Sequence, residues 1–69
     1  HVNFKIMEEM LKELLKEYLE KFKQNESECL EMIKNKIEDK VWQEHAKKGA
    51  GLKLMIETTL LELKKYEVS

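Results

Sequence analysis

Glutamates three apart on a helix project their carboxylates from one face, and all-α hydrolases use such pairs to hold metal ions. Glu17 with Glu20, and Glu28 with Glu31, have this spacing, and Glu8 and Glu9 precede Glu13. In a chain this rich in glutamate, roughly two such pairs arise from composition alone. No histidine follows either pair at the Glu-x-x-His spacing of a di-iron site. The only aspartate, Asp39, has Lys36 rather than a carboxylate three positions before it. The glutamates therefore read as solvated helix faces, and no metal ligand is assigned.

His45 is the one histidine inside the chain. At helical spacing it shares a side with Glu38, Val41 and Trp42, so a carboxylate could orient its ring. One imidazole without a nucleophile or a second soft ligand does not make a catalytic site. Cys29 lies among Glu26, Glu28 and Glu31. Acidic neighbours oppose a thiolate, whereas a nearby helix N-terminus favours one. A small apolar residue at the edge of the core is the better reading. Lys47-Lys48-Gly49-Ala50-Gly51-Leu52-Lys53 brings two glycines and three lysines together and could hold a phosphate on exposed N–H groups. It lacks the four-residue spacing, the Gly-Lys-Ser/Thr end and the preceding strand of a phosphate-binding loop. A turn between antiparallel helices accounts for both glycines. No catalytic residue and no cofactor is assigned.

The elements that must position these residues are helical. The chain of 69 residues has no proline, only Gly49 and Gly51 as glycines, and no run of alternating β-branched residues. It is built from glutamate, lysine, leucine and methionine, which favour helix. A single all-α domain over residues 1–69 follows, read as a three-helix bundle with helices at about residues 4–23, 26–48 and 52–66. In the first, Phe4, Met7, Leu11, Leu14, Leu15, Tyr18 and Phe22 share a broad face. Asn25 with Glu28 imitates a capping box opening the second. That helix carries Leu30, Ile33, Ile37 and Val41 on a narrower stripe, with Leu14 and Ile33 expected at mid-core. Gly49 closes it in the left-handed conformation. In the third, Leu52, Met55, Ile56, Thr59, Leu60, Leu63 and Tyr66 form the core face.

That last helix is apolar on two sides. Leu54, Leu61 and Val68, seven apart, fall opposite its core face, and Ile6, Met10, Met32 and Trp42 fall off the stripes of their own helices. A bundle of one chain needs one apolar face per helix, so a second face marks a seam between chains. Leu54, Leu61, Val68, Trp42 and Met32 are the expected interface, most simply of a homodimer. A domain of this size also needs a staple, and one cysteine cannot form an internal disulfide.

Charge narrows the partners. Thirteen basic residues, every one lysine, oppose fourteen acidic ones, for a net charge of −1. Without arginine, bidentate recognition of phosphate or guanine is missing, so sequence-specific nucleic-acid binding is not expected. An apolar third helix also cannot serve as the recognition helix of a helix-turn-helix. No window is long and apolar enough to span a membrane, and the lone cysteine suits a reducing compartment, so the expected location is cytoplasmic. His1 reads as the remnant of a purification tag. The lysine and glutamate content fits a heat-adapted source. The expected function is a helical protein–protein interaction or adaptor module that self-associates, with or without a protein partner. The alternative is an all-α metal-dependent nucleotide hydrolase using helix-borne glutamates.

Overall fold

The computed structural model describes residues 2–68, with side chains described for residues 4–66. Two helices, α1 (Val2–Lys34) and α2 (Asp39–Val68), pack against each other as a hairpin. The expected helical class holds, but the three-helix division does not. The helix breaks expected near residues 24–25 and 49–51 are absent, and the turn falls at residues 35–38, within the expected second helix.

The physical reasons are local. Gln24-Asn25-Glu26-Ser27-Glu28 interrupts the apolar rhythm but contains neither proline nor glycine, so nothing in it stops a helix. Asn25 does not cap. Its amide Nδ2 instead donates to the carbonyl oxygen of His45 across the hairpin at 2.9 Å. Gly49 and Gly51 both keep negative φ inside α2, so Gly49 is not a left-handed cap. It is buried against α1, where a Cβ on residue 49 would meet Asn25 Oδ1 at 2.5 Å. Glycine leaves room there for the Asn25 side chain to pack onto the α2 backbone, which is a different use of the residue.

The actual turn closes α1 with Lys36 in the left-handed region, at φ 58°. The N–H of Ile37 donates to Met32 O at 3.0 Å, and that of Lys36 to Ile33 O at 3.1 Å. These two bonds define a Schellman closure, with Lys36 in the place usually held by glycine. Glu38 then opens α2, its carbonyl accepting from Val41 N–H at 2.9 Å. Asp39 in the first turn complements the helix dipole. Its carboxylate also accepts from the Trp42 indole N–H at 3.0 Å.

The inward residues follow a seven-residue rhythm of alternating threes and fours. On α1 they include Leu11, Leu15, Tyr18, Phe22, Asn25 and Cys29. On α2 they include Trp42, Gly49, Leu52, Ile56, Thr59 and Leu63. This is the pattern of an antiparallel coiled coil. The pairing is fixed at the open end by an edge-on contact of Phe4 with Tyr66, ring centroids 5.7 Å apart. Near the turn it is fixed by Cys29 against Trp42 and Asn25 against His45.

Two helices make a thin core. Among the described residues only Cys29 and Leu63 are buried apolar side chains, with Asn25 and Thr59 as buried polar ones. Leu14 and Ile33, expected at mid-core, are 37% and 47% exposed. Leu14 lies beside the heptad seam rather than on it. Leu30, Ile33, Ile37 and Val41 flank the turn, which removes the neighbour a third helix would have supplied. The molecule is a rod of 53 × 14 × 13 Å. Its radius of gyration, 15.9 Å, compares with about 11 Å for a compact domain of this length.

Candidate functional site

Two regions gather functional side chains. The first is a polar cluster on the turn-proximal half of the hairpin. Asn25, Cys29, His45 and Glu28 meet there because Gly49 lets the helices close. His45 Nε2 lies 2.7 Å from Glu28 Oε1 on the opposite helix. The imidazole is thus oriented by Glu28, twenty-eighth in the chain, rather than by its own-helix neighbour Glu38. Spacing within one helix gives no sign of this partner. Gln24 donates to the other Glu28 oxygen at 3.2 Å. The Glu28 carboxyl is held below the usual range by its hydrogen bond to His45, then by the bond to Gln24. Partial desolvation opposes this, and the charges of His45 and Lys48 add weaker lowering effects.

Cys29 is buried, its Sγ 3.8 Å from Trp42 O and 4.0 Å from Asn25 Oδ1. A thiol closed in this way is packing material rather than a nucleophile. Ser27, Glu31, Met32, Asn35 and Ile37 join Glu28 and His45 around an open hollow beside the turn. Among the described residues, no group of three histidine, cysteine or carboxylate side chains converges where it could hold a metal ion. The glycine segment expected to cradle phosphate lies inside α2, where its N–H groups are spent on helical bonds. Among the same residues no helix is long and apolar enough to cross a membrane.

The second region is the outer apolar surface. Leu54 and Leu61 lie on the back of α2 and are 66% and 62% exposed. Val68 ends α2, and its side chain lies outside the described residues. Trp42 and Met32 are half-buried along the hairpin seam. Ile6 and Met10, expected off the core stripe of α1, are exposed, and the structure adds Met7 and Leu14 on α1 and Met55 and Leu60 on α2, all exposed. Met7, Leu14, Met55 and Leu60 were assigned above to the intrachain core. The signal that separates them is the seven-residue rhythm, which passes through Leu11, Leu15, Ile56 and Leu63 and leaves them outside it.

Nearly all of these exposed residues sit in the open-end half, away from the turn. The surface of the whole chain is 5881 Å². A compact monomer of 8.3 kDa exposes about 4,600 Å². The excess, about 1,300 Å², is more than the roughly 800 Å² that each partner buries in a standard protein interface. Compared with family models, curated proteins and solved structures, the chain matches none of them.

Proposed function

We propose that this chain is a helical interaction module that completes its core by pairing with a second copy, and that it works as an adaptor in that form. The observation that carries this reading is the set of exposed apolar side chains, on a chain whose total surface exceeds that of a compact monomer by at least the area each partner buries in a standard interface. Fourteen large apolar side chains are exposed among the described residues, against two that are buried. A solitary hairpin of this composition leaves most of its hydrophobic driving force unused. A second hairpin converts it into a four-helix bundle, in which each helix has two neighbours. Leu54 and Leu61 belong to the surface that the second copy covers. The test is thermal melting over a range of protein concentrations. Association linked to folding raises Tm with concentration. A Tm that does not move with concentration contradicts self-association.

A further inference from the structure

We infer that the hairpin exchanges its helices with a second copy: the turn straightens, α1 and α2 run on as one helix, and α1 of each chain packs against α2 of the other. This goes beyond the side-by-side pairing proposed above and does not need the outer apolar surface. The pairing is set by contacts already made within the hairpin. Phe4 meets Tyr66, Asn25 meets His45 and Gly49, Cys29 meets Trp42, and Glu28 meets His45. Each of these joins α1 to α2, and none involves residues 35–38. All of them can therefore be remade, partner for partner, between two antiparallel chains.

Only the turn, then, distinguishes the hairpin from the exchanged pair, and little holds the turn. Asn35-Lys36-Ile37-Glu38 contains neither glycine nor proline. Its side chains form no hydrogen bond or ion pair. Leu30, Ile33, Ile37 and Val41 around it are 42–61% exposed, so no packing clamps it shut. Lys36 sits at φ 58°, where a side chain strains the backbone.

Straightening also keeps the backbone bonds. The turn is closed by Lys36 N–H to Ile33 O and Ile37 N–H to Met32 O. In a continuous helix the same two N–H groups donate to Met32 O and Ile33 O instead, so neither bond is lost. The N–H groups that α2 leaves without helical partners at its start gain them. Local composition agrees, because Lys34, Lys36, Glu38 and Lys40 favour helix over turn. The joined helix carries a one-residue break in its heptads, since Cys29 and Trp42 are thirteen residues apart where two heptads need fourteen. The segment between Met32 and Trp42 absorbs that twist, and its exposed residues lose no packing in doing so. Tethering favours the hairpin in dilute solution, and rising concentration favours exchange.

Length separates the two kinds of pair. Residues 2–68 as one helix, at about 1.5 Å per residue, make a rod of about 100 Å, against 53 Å for the hairpin. Two hairpins side by side keep the shorter length.

The test is small-angle X-ray scattering with sedimentation equilibrium on the unmodified chain, unfolded by heat and cooled at millimolar concentration. Exchange predicts a dimer with a maximum dimension of about 100 Å. Lys36→Gly both relieves the turn and weakens the continuous helix, and each dimer contains two such hinges. The variant should therefore form the long dimer at least roughly tenfold more weakly, while circular dichroism shows that its hairpin still folds. A dimer close to 53 Å long, or a long dimer that Lys36→Gly leaves undiminished, overturns exchange while self-association stands. A chain that stays monomeric after this treatment overturns exchange and the side-by-side pair together.

Discussion

Asn25 stands directly against Gly49, its Oδ1 2.5 Å from where a Cβ on residue 49 would lie, while its Nδ2 donates to His45 O. The amide is 8% exposed and held at both ends, so it cannot simply swing aside. Alanine at position 49 gains about 1 kcal/mol of helix propensity. It also forces the helices apart or breaks a buried hydrogen bond, at a cost of roughly 1–3 kcal/mol for overpacking and about 1–3 for the stranded amide. Gly49→Ala should therefore destabilise by about 1–3 kcal/mol in chemical denaturation. Asn25→Ala in the same chain should recover part of that loss, because the two changes share one cause.

Gly51, two residues on, has nothing within 4 Å of a built Cβ. Gly51→Ala should stabilise by about 0.5–1 kcal/mol through helix propensity alone. Behaviour of opposite sign at these neighbouring glycines separates a continuous α2 from a turn at this point. A loss of stability at position 51 would mean that the helix does not run through it.

Lys36 holds the left-handed position of the turn at φ 58°. A residue with a Cβ is strained there by about 1–2 kcal/mol relative to glycine. Lys36→Gly should raise stability by about 1 kcal/mol, after allowance for the greater freedom of glycine in the unfolded chain. The midpoint of urea unfolding measures this, and an unchanged or lower midpoint would place the turn elsewhere.

Helicity is legible in the sequence, since the absence of proline, the scarcity of glycine and the glutamate–lysine spacing all favour it. The turn is not, because Asn35-Lys36-Ile37-Glu38 carries neither glycine nor proline, and its left-handed residue is a lysine. Gly49 and Gly51 give a stronger punctuation signal, yet both lie inside a continuous helix, and the use of Gly49 is the close approach of α1, which depends on residues far away in the chain. The same distance hides the His45–Glu28 contact. An apolar surplus is legible, as Leu54 and Leu61 show. Which residues form it on α1 is not, because Met7 and Leu14 fit an average helical face while the coiled coil follows a seven-residue rhythm beside them.

The Glu28 carboxyl titrates below its unfolded value, about 4.3, because its ionised form accepts from His45 and Gln24. A depressed folded value means that the contribution is fully present above the unfolded value and is lost as pH falls through the folded one. Stability should therefore decline as pH drops below about 4.3, and Glu28→Gln should show a shallower decline across that window. Denaturation midpoints of both proteins through the acid range measure the difference. Parallel curves would mean that the pair is not formed in solution.

Leu61→Glu places a charge on the back of α2 without touching the seam residues Ile56 and Leu63. In an isolated hairpin the position is 62% exposed and the change should cost less than about 0.5 kcal/mol. In a dimer it buries a charge and should weaken association by several kcal/mol, leaving a less stable monomer. Melting of the variant at high concentration distinguishes the two, and a parental Tm there would remove Leu61 from the interface.

The most direct measurement of the central claim is sedimentation equilibrium of the unmodified chain from micromolar to millimolar concentration. Completion of the core by a second copy predicts a mass approaching twice 8.3 kDa as concentration rises, with helicity and thermal stability rising alongside it. A mass of 8.3 kDa throughout, with a fully helical spectrum at every concentration, would contradict it.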